Sequence, residues 1–376
     1  MIVANPHLHH VASYKPGSTP SQVKAEYGLE HVEKLASNEN PLGTSDTALR
    51  AAHNALGQSH RYSDGGLALR LRLAEHHNVD VSSISVHNGS DAIIHQIMRV
   101  FLLPGETALS SHGTFVSFEL AVKGVNAQAQ FVPLTVDYRY DVKALAAAVT
   151  DTTKVIYIAN PNNPTGTYIT HDDLVWLMNN VPEDRLVVLD EAYVEYAQNL
   201  VPHLYPDALS LHRSNLICLR TFSKAYGLAA LRVGYALGHP DVVQWLIRTK
   251  LPFDPNGPGC AAAIAALDDA EFVRKTVELN ATGLAVLQST LRECGYISST
   301  SVANFVMIDL GDRESAVAFH SHLLLQGFIA RQLIGFGLPT CVRISTGTQE
   351  QNIRLAQILR AYSSELAGAP SQSLAQ

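Results

Sequence analysis

The stretch LRTFSKAYGLAALRVGY, Leu219 to Tyr235, decides how this chain is read. It grows out of the apolar run NLICLR, which has the make-up of a strand buried on both faces. Lys224 stands just past the end of that run, close behind the hydroxyl residues Thr221 and Ser223 and eight places before Arg232. A lone lysine in a loop is ordinarily a surface charge. A lysine at a strand end, among groups suited to an anion, asks for a different explanation.

Working outward, residues 66–265 alternate short apolar runs with helical patterns. SSISVHNG, ALSSH, AQFVPL, KVIYIANP, RLVVLDEAY, NLICLRTFS and RVGYALG each read as a buried strand. DAIIHQIMRVFLL and DVKALAAAV carry apolar residues at spacings of three and four. Alternation of this kind predicts an α/β fold with a mostly parallel sheet covered on both faces. After residue 270 a long helix, DDAEFVRKTVELNATGLAVLQSTLREC, is expected to be capped by Asp268 or Asp269. NFVMIDL, SAVAFHSHLLLQ, FIARQL, CVRIST and QEQNIRLAQILRAYSSEL then predict a small α+β layer. The division expected is a large unit over 42–265 and a smaller one from 1–41 with 266–376.

Bulk composition narrows the function. At 376 residues, with 47% hydrophobic and 16% charged, the chain can bury a large core. A net charge of -7 and the lack of a basic stripe argue against nucleic acid as a partner. No stretch approaches ~18 uninterrupted apolar residues, so no membrane span is expected. The start, MIVANPHLHHVASYKPG, lacks a basic segment followed by an apolar one, so no signal peptide is expected. The four cysteines are far apart and include no CxxC pair, which points to a reducing, cytoplasmic setting. His7, His9 and His10 cluster near the start but offer no ligand geometry, and no metal site is expected.

In open α/β sheets, functional residues gather beyond the C-terminal ends of the strands. The unusual residues of this chain fall there. In SVHNGSDAII a strand gives way to Gly89, then Ser90 and Asp91 open a helix whose free N–H groups can meet an anion. An ordinary Ser/Asp helix cap explains that pattern equally well. NPNNPTG holds Asn163 in a proline-bounded turn, and VVLDEAY ends on Asp190 after four apolar residues. A buried carboxylate is costly unless it meets a cation or a protonated base. A lysine, such a carboxylate and an anion cradle together suit pyridoxal phosphate (PLP), which has an aldehyde, a pyridine nitrogen and a phosphate. Phe115 could stack on the ring, although an aromatic there is otherwise core.

The order Ser-Asp, Phe, Asn-Pro-Thr-Gly, Asp, Lys, Arg is similar to that of fold type I aminotransferases. YKPG, KLASNENPLG, RYSDGG, NGSDAII, NPNNPTG, LDEAYVEYA, RTFSKAYGLAALRVGY, ANFVMIDL and GLPTCVRISTGT extend the likeness over residues 10–365. On these motifs the chain resembles the class II histidinol-phosphate aminotransferase family. That resemblance implies a seven-stranded, mostly parallel large domain with a small α+β domain, and a homodimer with shared active sites. It implies an amino donor and a 2-oxo acid as small-molecule substrates. Lys224 would bond the cofactor aldehyde and Asp190 would pair with the ring nitrogen. Asn163 and Tyr193 would bind the ring 3-oxygen, and Phe115 would stack on the ring. Ser90, Asp91, Ser223 and Arg232 would hold the phosphate, with Tyr62 reaching it from the neighbouring subunit. Arg343 matches the carboxylate-binding arginine, and Tyr14 and Arg331 match positions at the phosphate end of histidinol phosphate.

Three positions depart from the family's pattern. Ser63 stands where proline is usual, Gly257–Ala263 replaces a more usual apolar-Ala-Gln-Ala run, and Ala230 replaces a frequent glycine. None falls on the cofactor residues, and the first two bear on substrate choice more than on catalysis. The rival readings are an aromatic amino-acid aminotransferase on the same scaffold and, more remotely, a PLP-dependent decarboxylase. From another class comes a nucleotide-binding protein, whose sole hint is GFGLPT, Gly335–Thr340.

Overall fold

The computed structural model describes residues 17–368. Tyr14 and the three early histidines lie outside them. All seven expected strands form one sheet, in the order Ile84–His87, Gly234–Gly238, Leu216–Thr221, Leu186–Asp190, Thr153–Ala159, Thr107–Ser111, Gln128–Val132. Gly234–Gly238 alone runs antiparallel to its neighbours. Side chains alternate faces along each strand, so two separate cores result. Ile156, Ile158, Val187, Leu189 and Cys218 belong to one, and Val155, Tyr157, Val188, Ile217 and Leu219 to the other. Double burial fails at one place: Gln128–Val132 is an edge strand whose first residue is exposed.

The long helix is Ala270–Glu293, and of the two candidate caps Asp269 serves, accepting from the Phe272 N–H at 3.1 Å. Beyond it lies an antiparallel sheet in the order Arg331–Gln332, Cys341–Ser345, Phe305–Asp309, Ile297–Ser298. FIARQL, part of the expected α+β layer, forms two short strands. Phe328–Ile329 pairs in parallel with Glu33–Lys34, while Arg331–Gln332 turns into the other sheet. The first pairing stitches the early part of the chain to the late part, and Leu35 joins the same core as Leu284, Val306, Phe319 and Ile344. GFGLPT forms a short 3-10 turn and then enters a strand, with no helix to receive a phosphate, which removes the nucleotide-binding hint. Among the described residues no helix is long and apolar enough to cross a membrane.

Candidate active site

Five strand ends of the large sheet open on one cavity of about 230 Å³. It is lined by Ser90, Asp91, Phe115, Asn163, Asp190, Tyr193, Ser223, Lys224 and Arg232, which are all nine of the residues expected to hold a cofactor within one chain. Thr221, Ala159, Pro161 and Ala192 complete the wall.

Asp190 ends its strand 4% exposed. The Tyr157 hydroxyl donates to its Oδ2 at 2.7 Å, while Oδ1 is buried without a partner. Burial pushes its carboxyl up to about 6, partly offset by the tyrosine's hydrogen bond. Such an atom is an open acceptor for a protonated base. Tyr157 was not anticipated, although a tyrosine inside an apolar strand signals that its hydroxyl needs a partner.

Lys224 lies 3.2 Å from the Ser37 carbonyl and within 5.8 Å of the Tyr193 ring centroid. Its ammonium is pulled down to about 8, first by burial and then by Arg343. The depression is therefore present in the protein alone, before any pyridinium adds to it. Tyr193 accepts from Asn38 Nδ2 at 2.9 Å, and burial raises its phenol, so its own hydrogen remains to donate. Asn38 is 2% exposed with a φ of 55°, held by Ser345 and Asn304. It sits in the motif KLASNENPLG, yet its part in the site was missed.

The anion cradle is built by close backbone approach. The helix Ser90–Phe101 has Gly89 as its N-cap and no side chain capping its first turn, which overturns the ordinary-cap reading of Ser90 and Asp91. Its N–H groups are left for another acceptor. Gly89 has a φ of +89°, and a Cβ there would lie 2.6 Å from the Arg232 Nη2. A Cβ on Gly234 would lie 2.3 Å from the Ser90 nitrogen. The two glycines thus let Arg232 settle over the helix start. Ser223 Oγ accepts from Thr221 at 3.0 Å and from Arg232 at 3.4 Å, leaving its hydrogen to point elsewhere. Behind the turn Ala229–Leu231, Gly259 comes so close that a Cβ would meet the Leu231 carbonyl at 2.8 Å. That contact gives the unusual Gly257–Ala263 segment a packing reason.

Arg343, 5% exposed, donates to Asn163 Oδ1 and to the Ala36 carbonyl, the latter at 2.7 Å. Asn163 is left with its amide hydrogens to offer the cavity. Arg331 is the direct cross-strand partner of Arg343. Opposed residues of an antiparallel pair share a face, so both arginines lie on one side of this sheet. Tyr62 does not line its own chain's cavity. It is 81% exposed and stacks on Phe253, with centroids 4.2 Å apart.

Residues 30–359 match the family described as "Aminotransferase class I and II". The chain belongs to that family. It is 40% identical to histidinol-phosphate aminotransferase 2 of Pseudomonas fluorescens strain Pf0-1, over 96% of this chain and 97% of the relative. It is 41% identical to histidinol-phosphate aminotransferase of Bacillus subtilis strain 168, over 94% and 98%. The crystal structure of histidinol-phosphate aminotransferase from Sinorhizobium meliloti in complex with pyridoxal-5'-phosphate superposes with a TM-score of 0.86. That pair is 30% identical over 96% of this chain and 98% of the other.

Proposed function

We propose that this aminotransferase uses PLP to move an amino group between L-histidinol phosphate and 2-oxoglutarate, the transamination of histidine biosynthesis. One observation carries the reading: a single cavity joins Lys224, the partnerless Oδ1 of Asp190 and the uncapped start of the helix Ser90–Phe101. These residues fit the cofactor. Asp190 would face the ring nitrogen, Asn163 and Tyr193 the ring oxygen, and Phe115 the ring face. The N–H groups of Ser90 and Asp91, with Ser223 and Arg232, would hold the phosphate. Lys224 would meet the aldehyde.

Bound there, PLP supplies an electron sink for the bond broken at the substrate carbon. Asp190 holds the proton on the ring nitrogen, which a neutral side chain could not do as firmly. With an ammonium pulled down to about 8, the Nζ of Lys224 is deprotonated in a useful fraction near neutral pH and can carry a proton to and from that carbon. Arg343 and Arg331 orient the anionic end of the substrate through planar, permanently charged forks. Two opposed arginines suit a doubly charged phosphate ester, and the relatives at about 40% identity carry the corresponding name. Tyr14, outside the described residues, would help Arg331 hold the phosphate end of histidinol phosphate.

The working unit is a homodimer in the cytoplasm, with Tyr62 reaching the phosphate of the neighbouring subunit. Its exposure beside the exposed Phe253 supports that role, and four free cysteines suit a reducing compartment. The cofactor unit spans 42–265, and the remainder forms the smaller domain. The test compares histidinol phosphate, phenylalanine and tyrosine as donors to 2-oxoglutarate. Histidinol phosphate should be used best. A preference for phenylalanine would replace this reading with the aromatic aminotransferase.

A further inference from the structure

Beside the phosphate cradle, the short segment 250–255 makes contacts that the proposed reaction does not use. Lys250 Nζ donates to two carbonyls from different parts of the chain, Gly65 at 2.7 Å and Val86 at 3.2 Å. Gly65 belongs to the loop that carries Tyr62. Val86 belongs to the strand that runs into Gly89 and Ser90. Asp254 Oδ2 accepts from the Asn88 N–H at 3.1 Å, gripping the residue just before the cradle's glycine. The Phe253 carbonyl accepts from Ser63 Oγ at 2.5 Å, and the Phe253 ring stacks on Tyr62. Ser63 Oγ in turn accepts from the Gly65 N–H at 3.2 Å.

We propose that residues 250–255 are a bracket that fixes the two phosphate-facing elements of this chain, the helix start at Ser90 and the Tyr62 loop, in one relative position. Lys250, Asp254 and Ser63 are its positioning residues. The inference rests on the cofactor reading above. Burial lowers the Lys250 ammonium from its ordinary value, the sign of a cation drawn in among backbone carbonyls. Ser63 accounts for a departure noted in the sequence. Proline at this position would stiffen the loop through its ring but could donate nothing to Phe253. Serine holds the loop with two hydrogen bonds instead, one donated and one accepted. The bracket's hydrogen bonds reach the Tyr62 loop and the segment that runs into Ser90, and none reaches a residue placed around the ring. Its effect must therefore depend on whether the ligand carries a phosphate.

The experiment measures dissociation constants of the cofactor-free dimer for PLP and for pyridoxal, which lacks the phosphate, by protein fluorescence quenching. Lys250→Met should weaken PLP by about tenfold, the scale of one net hydrogen bond at the cradle, and leave pyridoxal unchanged. Ser63→Ala should shift PLP in the same direction by a smaller factor, and Ser63→Thr, which keeps the hydroxyl, should restore it. Equal weakening of PLP and pyridoxal would reduce the bracket to general structural support and overturn the proposal. So would unchanged PLP binding in both variants. If Lys250→Met does not fold, the Ser63→Ala and Ser63→Thr pair decides alone. A wild-type chain that takes no PLP would overturn the cofactor reading itself, which separates the two failures.

Discussion

Asp190→Asn should push stability and catalysis in opposite directions. The substitution keeps the shape, and the Tyr157 hydroxyl can still donate to the amide oxygen. Without cofactor, burial has moved the carboxyl from 3.8 to about 6. At ~1.36 kcal/mol per pH unit, the buried charge costs the folded protein about 3 kcal/mol. The sign follows from which state binds the proton. Below about pH 4 the carboxyl is protonated folded and unfolded, and nothing is lost. Between about pH 4 and 6 only the folded state holds the proton, so stability falls as pH rises, and above that the cost is constant. An amide has its own desolvation cost, which takes back part of the gain. The cofactor-free variant should therefore exceed wild type by about 1–3 kcal/mol in denaturant melts at about pH 8, and at about pH 4 that advantage should be gone, with the amide's own cost alone remaining. With PLP, the neutral amide cannot hold the ring proton, and turnover should fall about 10²–10³-fold, the usual loss of one preorganised electrostatic group. A variant within a few fold of wild-type turnover, or one whose extra stability does not change between the two pH values, would refute the role given to Asp190.

Lys224→Ala should abolish transamination and the visible absorbance band of lysine-bound PLP while leaving the circular dichroism spectrum intact; near-normal turnover would sink the assignment. Gly234→Ala places a Cβ 2.3 Å from the Ser90 nitrogen, and PLP titration should show a loss of about tenfold or more in affinity. Mixing Tyr62→Phe chains with Lys224→Ala chains should create heterodimers with one site free of both defects, and activity should return. No recovery, with subunit exchange verified, would place Tyr62 in its own chain's site. Arg331→Gln should impair histidinol phosphate about tenfold more than phenylalanine in kcat/KM, since one charge-assisted hydrogen bond is worth ~1.5–3 kcal/mol; equal impairment would remove Arg331 as a phosphate reader.

Most strands of the large sheet were legible as short apolar runs, and five of them lead into residues that line the cavity. Asp190 and Lys224 could be found for that reason: a charged group at the end of a buried run is costly unless something pairs with it. The division of FIARQL between two sheets was not legible, because two-residue strands leave no periodicity to read. Asn38 was hidden by its left-handed backbone, which a sequence does not display for a non-glycine residue. Gly234 reads as one more residue of an apolar strand, and its purpose appears only when Ser90 is seen against it. Lys250 looks like a surface lysine between a helix and a proline. The cross-strand register of Arg331 and Arg343 depends on a turn whose length sequence patterns do not fix.

That register would link substrate binding to the proposed base. Arg343 is, after burial, the largest influence lowering the Lys224 ammonium, and it also holds Asn163 beside the proposed ring site. In the protein alone, the positive charge of Arg343 keeps the free Lys224 amine a weaker base and favours its neutral form. An anionic substrate group resting on Arg343 and Arg331 would offset that charge, and Lys224 would then gain basicity. The gain would arrive with the substrate whose proton Lys224 is proposed to take. By linkage the effect is reciprocal, so the protonated lysine would in turn favour the anion. The arginine pair would thus act at a distance as well as by contact, tuning the lysine that moves the proton while it holds the end of the substrate that does not react.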